Sequence, residues 1–367
     1  MTGALMIFLS FFLLLFSPAF AVELQLESSF VDNPDKIFRP ASRSTFLLAP
    51  SLEHKLKTKH AGFFFLVRSK LEYKHDTDAD RLRDGEASST VLAIKPLGLT
   101  LIGASLSAGH LWRWRRDFNV ISDRYLEIDG DHFFAETRFF GEKKLSTNWG
   151  IDGGITGRVE DYASSYSVYV NQQNDNISGA AYASLVYKAS GVELKPTASY
   201  QRKLWRERRA LSRDGFFVAP GEELKPDRID TLTGAVKGIV SFEKFTVSLT
   251  PSWTRINDLN NDGRSWSGPG IGSEVVYPVK TYSAKLRADW SKRDYDTQLS
   301  SFQSAGNKGL IEESASYSAL GSGKIGDVTV ELMHGLERLT SNQTDVKGRE
   351  IGKVRSSITT LSLKKQF

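Results

Sequence analysis

Hydrophobic and polar positions alternate along most of this chain. At 192–203, Val192, Leu194, Pro196, Ala198 and Tyr200 alternate with Glu193, Lys195, Thr197, Ser199 and Gln201. Phe245, Val247, Leu249, Pro251 and Trp253 alternate in the same way with Thr246, Ser248, Thr250, Ser252 and Thr254. Tyr282, Ala284, Leu286, Ala288 and Trp290 alternate with Ser283, Lys285, Arg287 and Asp289, and Trp149, Ile151 and Ile155 with Asn148, Asp152 and Arg158. A period of two is the signature of a strand with one apolar face and one polar face. Most of these runs reach ten or more residues, beyond the usual 5–6 of a soluble sheet. They match the roughly 9–11 residues with which a tilted strand crosses a bilayer. The expected fold is all-β: a transmembrane antiparallel up-and-down barrel of about sixteen strands, with fourteen to eighteen allowed.

The connections alternate too. Tight links such as "KPLG" (95–98), "GEKK" (141–144), "KASG" (188–191), "FEKF" (242–245) and "KIGD" (324–327) separate long polar stretches. Those stretches fall at 31–44, 75–88, 113–130, 160–178, 204–228, 257–277, 303–311 and 340–354. Short turns at one end and long loops at the other match periplasmic turns and extracellular loops. Up-and-down parity then requires an upward strand before 44–57, and "VELQLESSF" from Val22 supplies one.

The termini fit an exported barrel. "ALMIFLSFFLLLFSPAFA" is an apolar run with small residues at Ala19 and Ala21, so residues 1–21 read as a signal peptide cleaved after Ala21. Residues 22–367 then form a single barrel domain. At the other end "SSITTLSLKKQF" puts Leu361, Leu363 and Phe367 on one face and Ile358, Thr360 and Ser362 on the other.

Composition narrows the function. With 40% hydrophobic residues, 11% aromatics and a mean hydropathy of −0.30, the chain is too patterned for disorder. It contains no Cys, which removes disulfides, thiol chemistry and thiolate metal sites. A net charge of +5 is modest and argues against a nucleic-acid partner.

The leader, the dyad pattern and the last strand ending in Phe367 together make the chain resemble the porin-like β-barrel proteins of the Gram-negative outer membrane. The resemblance implies location in the bacterial outer membrane and contact with its lipid and lipopolysaccharide. It also implies insertion by the outer-membrane assembly machinery, which reads the terminal strand in that family. Homotrimeric assembly is one arrangement found there. The function expected is a channel for small hydrophilic solutes or ions. The alternative is a closed structural or adhesive barrel that acts through its extracellular loops.

Lumen candidates follow from parity. Lys55, Arg68, Lys70, Lys285, Arg287 and Asp289 are pore-lining candidates, with Glu53, Glu72, Glu136, Arg138, Asp152, Arg158, Glu193, Lys195 and Lys237 also turned away from lipid. The third long loop carries Asp117, Asp123, Glu127 and Asp129. In porins that loop folds inward to set acids against a basic wall; a solvated surface loop is the other reading. "LWRWRR" and "RKLWRERR" place Trp112, Arg113, Trp114, Arg115, Arg116, Trp205 and Arg206 at long-loop ends of strands. They read as an aromatic girdle with arginines on lipopolysaccharide phosphates, or as a mouth that attracts anionic or sugar solutes.

"DLNNDG" sets Asp258, Asn260 and Asp262 at the spacing of a Ca²⁺ loop, but Pro269 stands where the distal Glu belongs. No cofactor is expected beyond that weak calcium candidate. No Ser stands two residues after any of the six His, and there is no GxSxG elbow, phosphate-binding glycine loop or paired-His metal motif. Catalysis is therefore not expected.

Overall fold

A computed structural model of the chain describes residues 20–32, 44–76, 82–119, 124–162, 166–167, 170–171, 175–209, 226–259, 265–279, 282–299, 309–342 and 353–366. The strands are β1 (Phe20–Asp32), β2 (Ser44–His60), β3 (Phe63–Asp76), β4 (Leu82–Leu97), β5 (Thr100–Asn119), β6 (Arg124–Asp129) and β7 (His132–Lys144). They continue with β8 (Trp149–Tyr162), β9 (Tyr166–Ser167), β10 (Val170–Asn171), β11 (Asn176–Ala189), β12 (Val192–Arg209) and β13 (Pro226–Ser241). The last are β14 (Thr246–Asp258), β15 (Trp266–Val279), β16 (Tyr282–Leu299), β17 (Gly309–Ile325), β18 (Val328–Ser341) and β19 (Lys353–Gln366).

Sixteen of these strands form one closed antiparallel barrel. Each pairs with its neighbours in chain order, and the ring shuts where β1 pairs with β19, Glu23 opposite Gln366 and Asp32 opposite Ser357. β6 and the small β9–β10 pair lie outside the ring: β6 pairs with the outer end of β5, and β9 with β10. Closure leaves no edge strand, so every rung of backbone hydrogen bonds can be made away from water. That is why the chain carries its alternation into the last strand.

The residue that points to lipid on one strand faces its lipid-side partner on the next, because register fixes parity. Leu71, Phe139, Ile155, Leu286 and Leu332 all point outward and are 53%, 57%, 58%, 59% and 55% exposed. On β8 the apolar face runs from Trp149 through Ile151 and Ile155 to Val159. That is ~33 Å of strand, or about 25 Å of height at a tilt near 40°, the thickness of an outer-membrane barrel's apolar band.

Three expected loops are shorter than the sequence suggests. β4 begins at Leu82, inside 75–88, and β15 at Trp266, inside 257–277. β15 hides because its lumen positions are Gly268, Gly270 and Gly272, so glycine takes the place of a polar residue in the alternation. In the 113–130 stretch, β5 runs on to Asn119 and β6 returns along it. The expected leader lies almost wholly in residues 1–19, outside the described residues.

Candidate functional site: the barrel lumen

Sixteen strands spaced about 4.8 Å apart and tilted near 40° enclose a ring about 32 Å across, backbone to backbone. A fully extended arginine spans less than a quarter of that. Side chains alone therefore do not fill such a barrel, and what the wall carries decides what the interior can do.

The wall carries three kinds of lining. From β13 to β17 it is lined by short hydroxylated side chains that bond across strands: Thr233 to Thr254 at 3.2 Å, Ser291 to Ser314 at 2.8 Å and Ser283 to Ser322 at 2.6 Å. Arg287 stands up from this floor, 56% exposed, and donates to Asp289 at 2.6 Å. Lys285 pairs with Glu274.

From β1 to β4 the wall is an ion-pair lattice. Glu53 accepts from Lys55 at 2.9 Å and from Arg68 at 2.6 Å, and Lys55 also approaches Glu23 at 3.6 Å. Lys70 bridges Glu72 and Glu86. Arg68 remains 51% exposed despite its partner. A second lattice crosses β7, β8 and β12, where Arg158 joins Glu136 at 3.4 Å and Glu160 at 2.8 Å, and Lys203 reaches Glu160 at 3.5 Å.

The third kind is found at the seam. There the lumen-facing Val31, Leu47, Ala49, Val354, Ser29, Thr360 and Ser362 are between 1% and 9% exposed. Lys55, Glu23 and Lys364, farther along β2, β1 and β19, keep 34%, 26% and 29% exposure, so the covered part of the seam is this stretch and not the whole of the three strands.

No protein-family model and no curated protein sequence matches this chain. Solved structures do match it. OccAB3 of Acinetobacter baumannii superposes with a TM-score of 0.51 at 9% identity, covering 96% of this chain and 100% of that one. OccAB1 of the same organism gives 0.51 at 8% identity, with 96% and 98% covered. CdiB of A. baumannii gives 0.50 at 10% identity over 94% of this chain, which spans 60% of the length of CdiB. The chain has the fold of an outer-membrane β-barrel.

Register places the expected residues of this outer-membrane barrel as follows. Lys55, Arg68, Lys70, Lys285, Arg287 and Asp289 all stand on the lumen face. None of them is a lone charge, since each has an ion-pair partner. Asp117, Glu127 and Asp129 lie in the β5–β6 ladder, which prolongs the barrel wall beyond the β5–β7 rungs. That backbone departs from the inward fold the porin resemblance implies; β6 pairs along β5 because Trp114–Asn119 is itself extended and offers it an edge. Asp123 lies outside the described residues.

At the long-loop ends, Trp112 faces outward, 39% exposed, beside His110 with ring centroids 4.7 Å apart. Arg113 has lumen-side parity, and its backbone N–H donates to Asp131 at 2.7 Å. Trp114, Arg115 and Arg116 sit in the β5–β6 ladder. Trp205 corrects the girdle expectation. It is 8% exposed and opposite Asn176 on the lumen side, with Lys203 Nζ 5.0 Å from its ring. Leu204 holds the adjacent lipid-side position, and parity leaves Trp205 no choice. Arg206 lies in β12.

Asp258 ends β14 on the lumen side at 1% exposure, its backbone N–H donating to Ser265 at 2.9 Å. Asn260 and Asp262 lie outside the described residues. Among the described residues no group of three acidic, His or Cys side chains could hold a metal.

Sequence reasoning missed the outward polar group at the rim: Arg202 with both oxygens of Asp230 at 2.7 Å, and Arg255 with Asp296 at 3.0 Å. The signal was there, because Arg202 shares parity with Tyr200 and Leu204.

Proposed function

We propose that the chain forms a water-filled channel in the bacterial outer membrane through which small hydrophilic solutes and ions diffuse. The observation that carries this reading is the exposure of charged side chains inside the ring, with Arg68 at 51% and Arg287 at 56%. Burying a guanidinium without water costs far more than a paired surface charge returns, so an interior that keeps them half exposed is built for water. The serine and threonine wall from β13 to β17 offers donors and acceptors that replace part of a solute's hydration shell, and the paired charges bias which ions pass.

Arg202 and Arg255, facing outward at the rim, suit contact with lipopolysaccharide phosphates. A homotrimer is compatible with this reading and is not required by it.

Liposome swelling tests the proposal. Proteoliposomes diluted into isotonic arabinose, glucose or raffinose should swell at rates that fall with solute size. The buried seam of β19, β1 and β2 favours the second reading, a closed barrel working through its loops. Folded protein that gives no swelling with arabinose would establish that reading instead.

A further inference from the structure

One arginine stands apart from the ion-paired lumen arginines Arg68, Arg158, Arg287 and Arg293. Arg138, on β7, stands exposed on the inner wall, and no carboxylate among the described residues lies within 4.0 Å of it. Of the acids on neighbouring lumen positions, Glu136 pairs with Arg158 at 3.4 Å and Asp152 with Lys195, while Glu142, two lumen positions further along β7, has no ion pair among the described residues and lies beyond 4.0 Å of Arg138. Its guanidinium carbon lies 5.4 Å from the centroid of Phe140 and 5.6 Å from that of Tyr182, and Nη2 donates to the Tyr182 hydroxyl at 3.1 Å.

The wall beneath is shaped for those two rings. Gly103 and Gly154 face the lumen opposite Phe140, and Gly154 also faces Tyr182. A Cβ at Gly103 would fall within the Phe140 ring, and one at Gly154 would stand 2.8 Å from Tyr182 Cε1. Only glycine lets both rings lie flat against the strands. Across the same rungs stand Ser105, Thr156 and Ala180, none of them long enough to cover Arg138.

Stacking uses the faces of a guanidinium and leaves its in-plane N–H groups free. Of five donors, one serves Tyr182, and the remaining edge opens on the lumen as a fork for two oxygens of an oxyanion. We infer that Arg138, Phe140 and Tyr182 form a binding subsite for small solutes bearing a carboxylate or phosphate, a selectivity station part-way along the wall. This rests on the channel reading for its role in transport, but the binding itself does not.

The test therefore measures binding and current separately. Isothermal titration of the detergent-folded protein with glucuronate, glucose 6-phosphate and glucose should show saturable binding of either oxyanion and none of glucose. Arg138→Gln should weaken the oxyanion that binds by about tenfold or more, the usual worth of a charge-assisted pair. Arg138→Lys, which keeps the charge and loses the fork, should fall between. Heat-shifted gel mobility checks that each variant is folded, and Phe140→Leu gives an independent variant that should also weaken binding. In a planar bilayer the same oxyanion should lower wild-type conductance in proportion to its occupancy. Oxyanion binding with a silent bilayer would keep the subsite and sink the channel. Conductance without binding, equal binding of glucose, or affinity unchanged in Arg138→Gln would overturn the subsite.

Discussion

Replacing Ile155 by Arg puts a charge on the lipid face of β8 at the middle of its Trp149–Tyr162 span. Ile155 is 58% exposed in the isolated barrel, so in a membrane its side chain meets hydrocarbon. An apolar band about 25 Å tall leaves that position roughly 12 Å from either interface, beyond easy snorkelling. The expected cost is about 2–4 kcal/mol, which lowers the folding equilibrium constant roughly 30- to 1000-fold. The matching control is Ser316→Arg on β17, which faces the lumen opposite Asp289 and Glu337. Water and two nearby acids leave that change within about 0.5 kcal/mol of neutral. Urea unfolding of both variants, folded into short-chain lipid vesicles and followed by tryptophan fluorescence, measures the difference. Equal costs, or a larger cost for Ser316→Arg, would refute the assignment of faces and with it every lumen residue named above.

Other outcomes follow from the same geometry. Glu53→Gln removes the acid that pairs with both Lys55 and Arg68, so the reversal potential under a salt gradient should move toward anion selectivity. Its cost in stability should not exceed about 1 kcal/mol, because Arg68 is half exposed and screened. Trp205→Ala should cost about 3–5 kcal/mol in urea unfolding, since the ring is 8% exposed. Trp112→Ala, whose ring borders lipid, should cost clearly less in the same experiment. Gly103→Ala should lift the Phe140 ring off the wall into the lumen; a single-channel conductance equal to wild type would contradict the flat packing.

The fold was legible because a barrel wall has a period of two and shows it wherever both faces are chemically distinct. β12, β14 and β16 carry Leu, Tyr or Trp on one side and Ser, Thr or charge on the other. β15 was hard to read for the reason its lumen is open: glycine at Gly268, Gly270 and Gly272 erases the polar half of the pattern. β4 was blurred by Ala87 and Ser89 on its lipid side, which are too small to signal membrane. Which charges line the lumen was also legible, through parity alone. Which of those charges are spoken for was not, because Glu53 with Arg68, Arg158 with Glu136 and Lys195 with Asp152 join residues on different strands. Arg138 stands out only when those pairings are known. The same parity rule, carried one residue further along "RKLW", would have turned Trp205 inward.

Single-channel recording in a planar bilayer tests the central claim most directly. An aqueous lumen in a sixteen-stranded ring predicts discrete steps whose conductance rises with salt concentration and is ohmic at low voltage. A silent bilayer, from protein shown by circular dichroism and heat-shifted gel mobility to be folded and inserted, would contradict it and leave a closed barrel whose loops do the work.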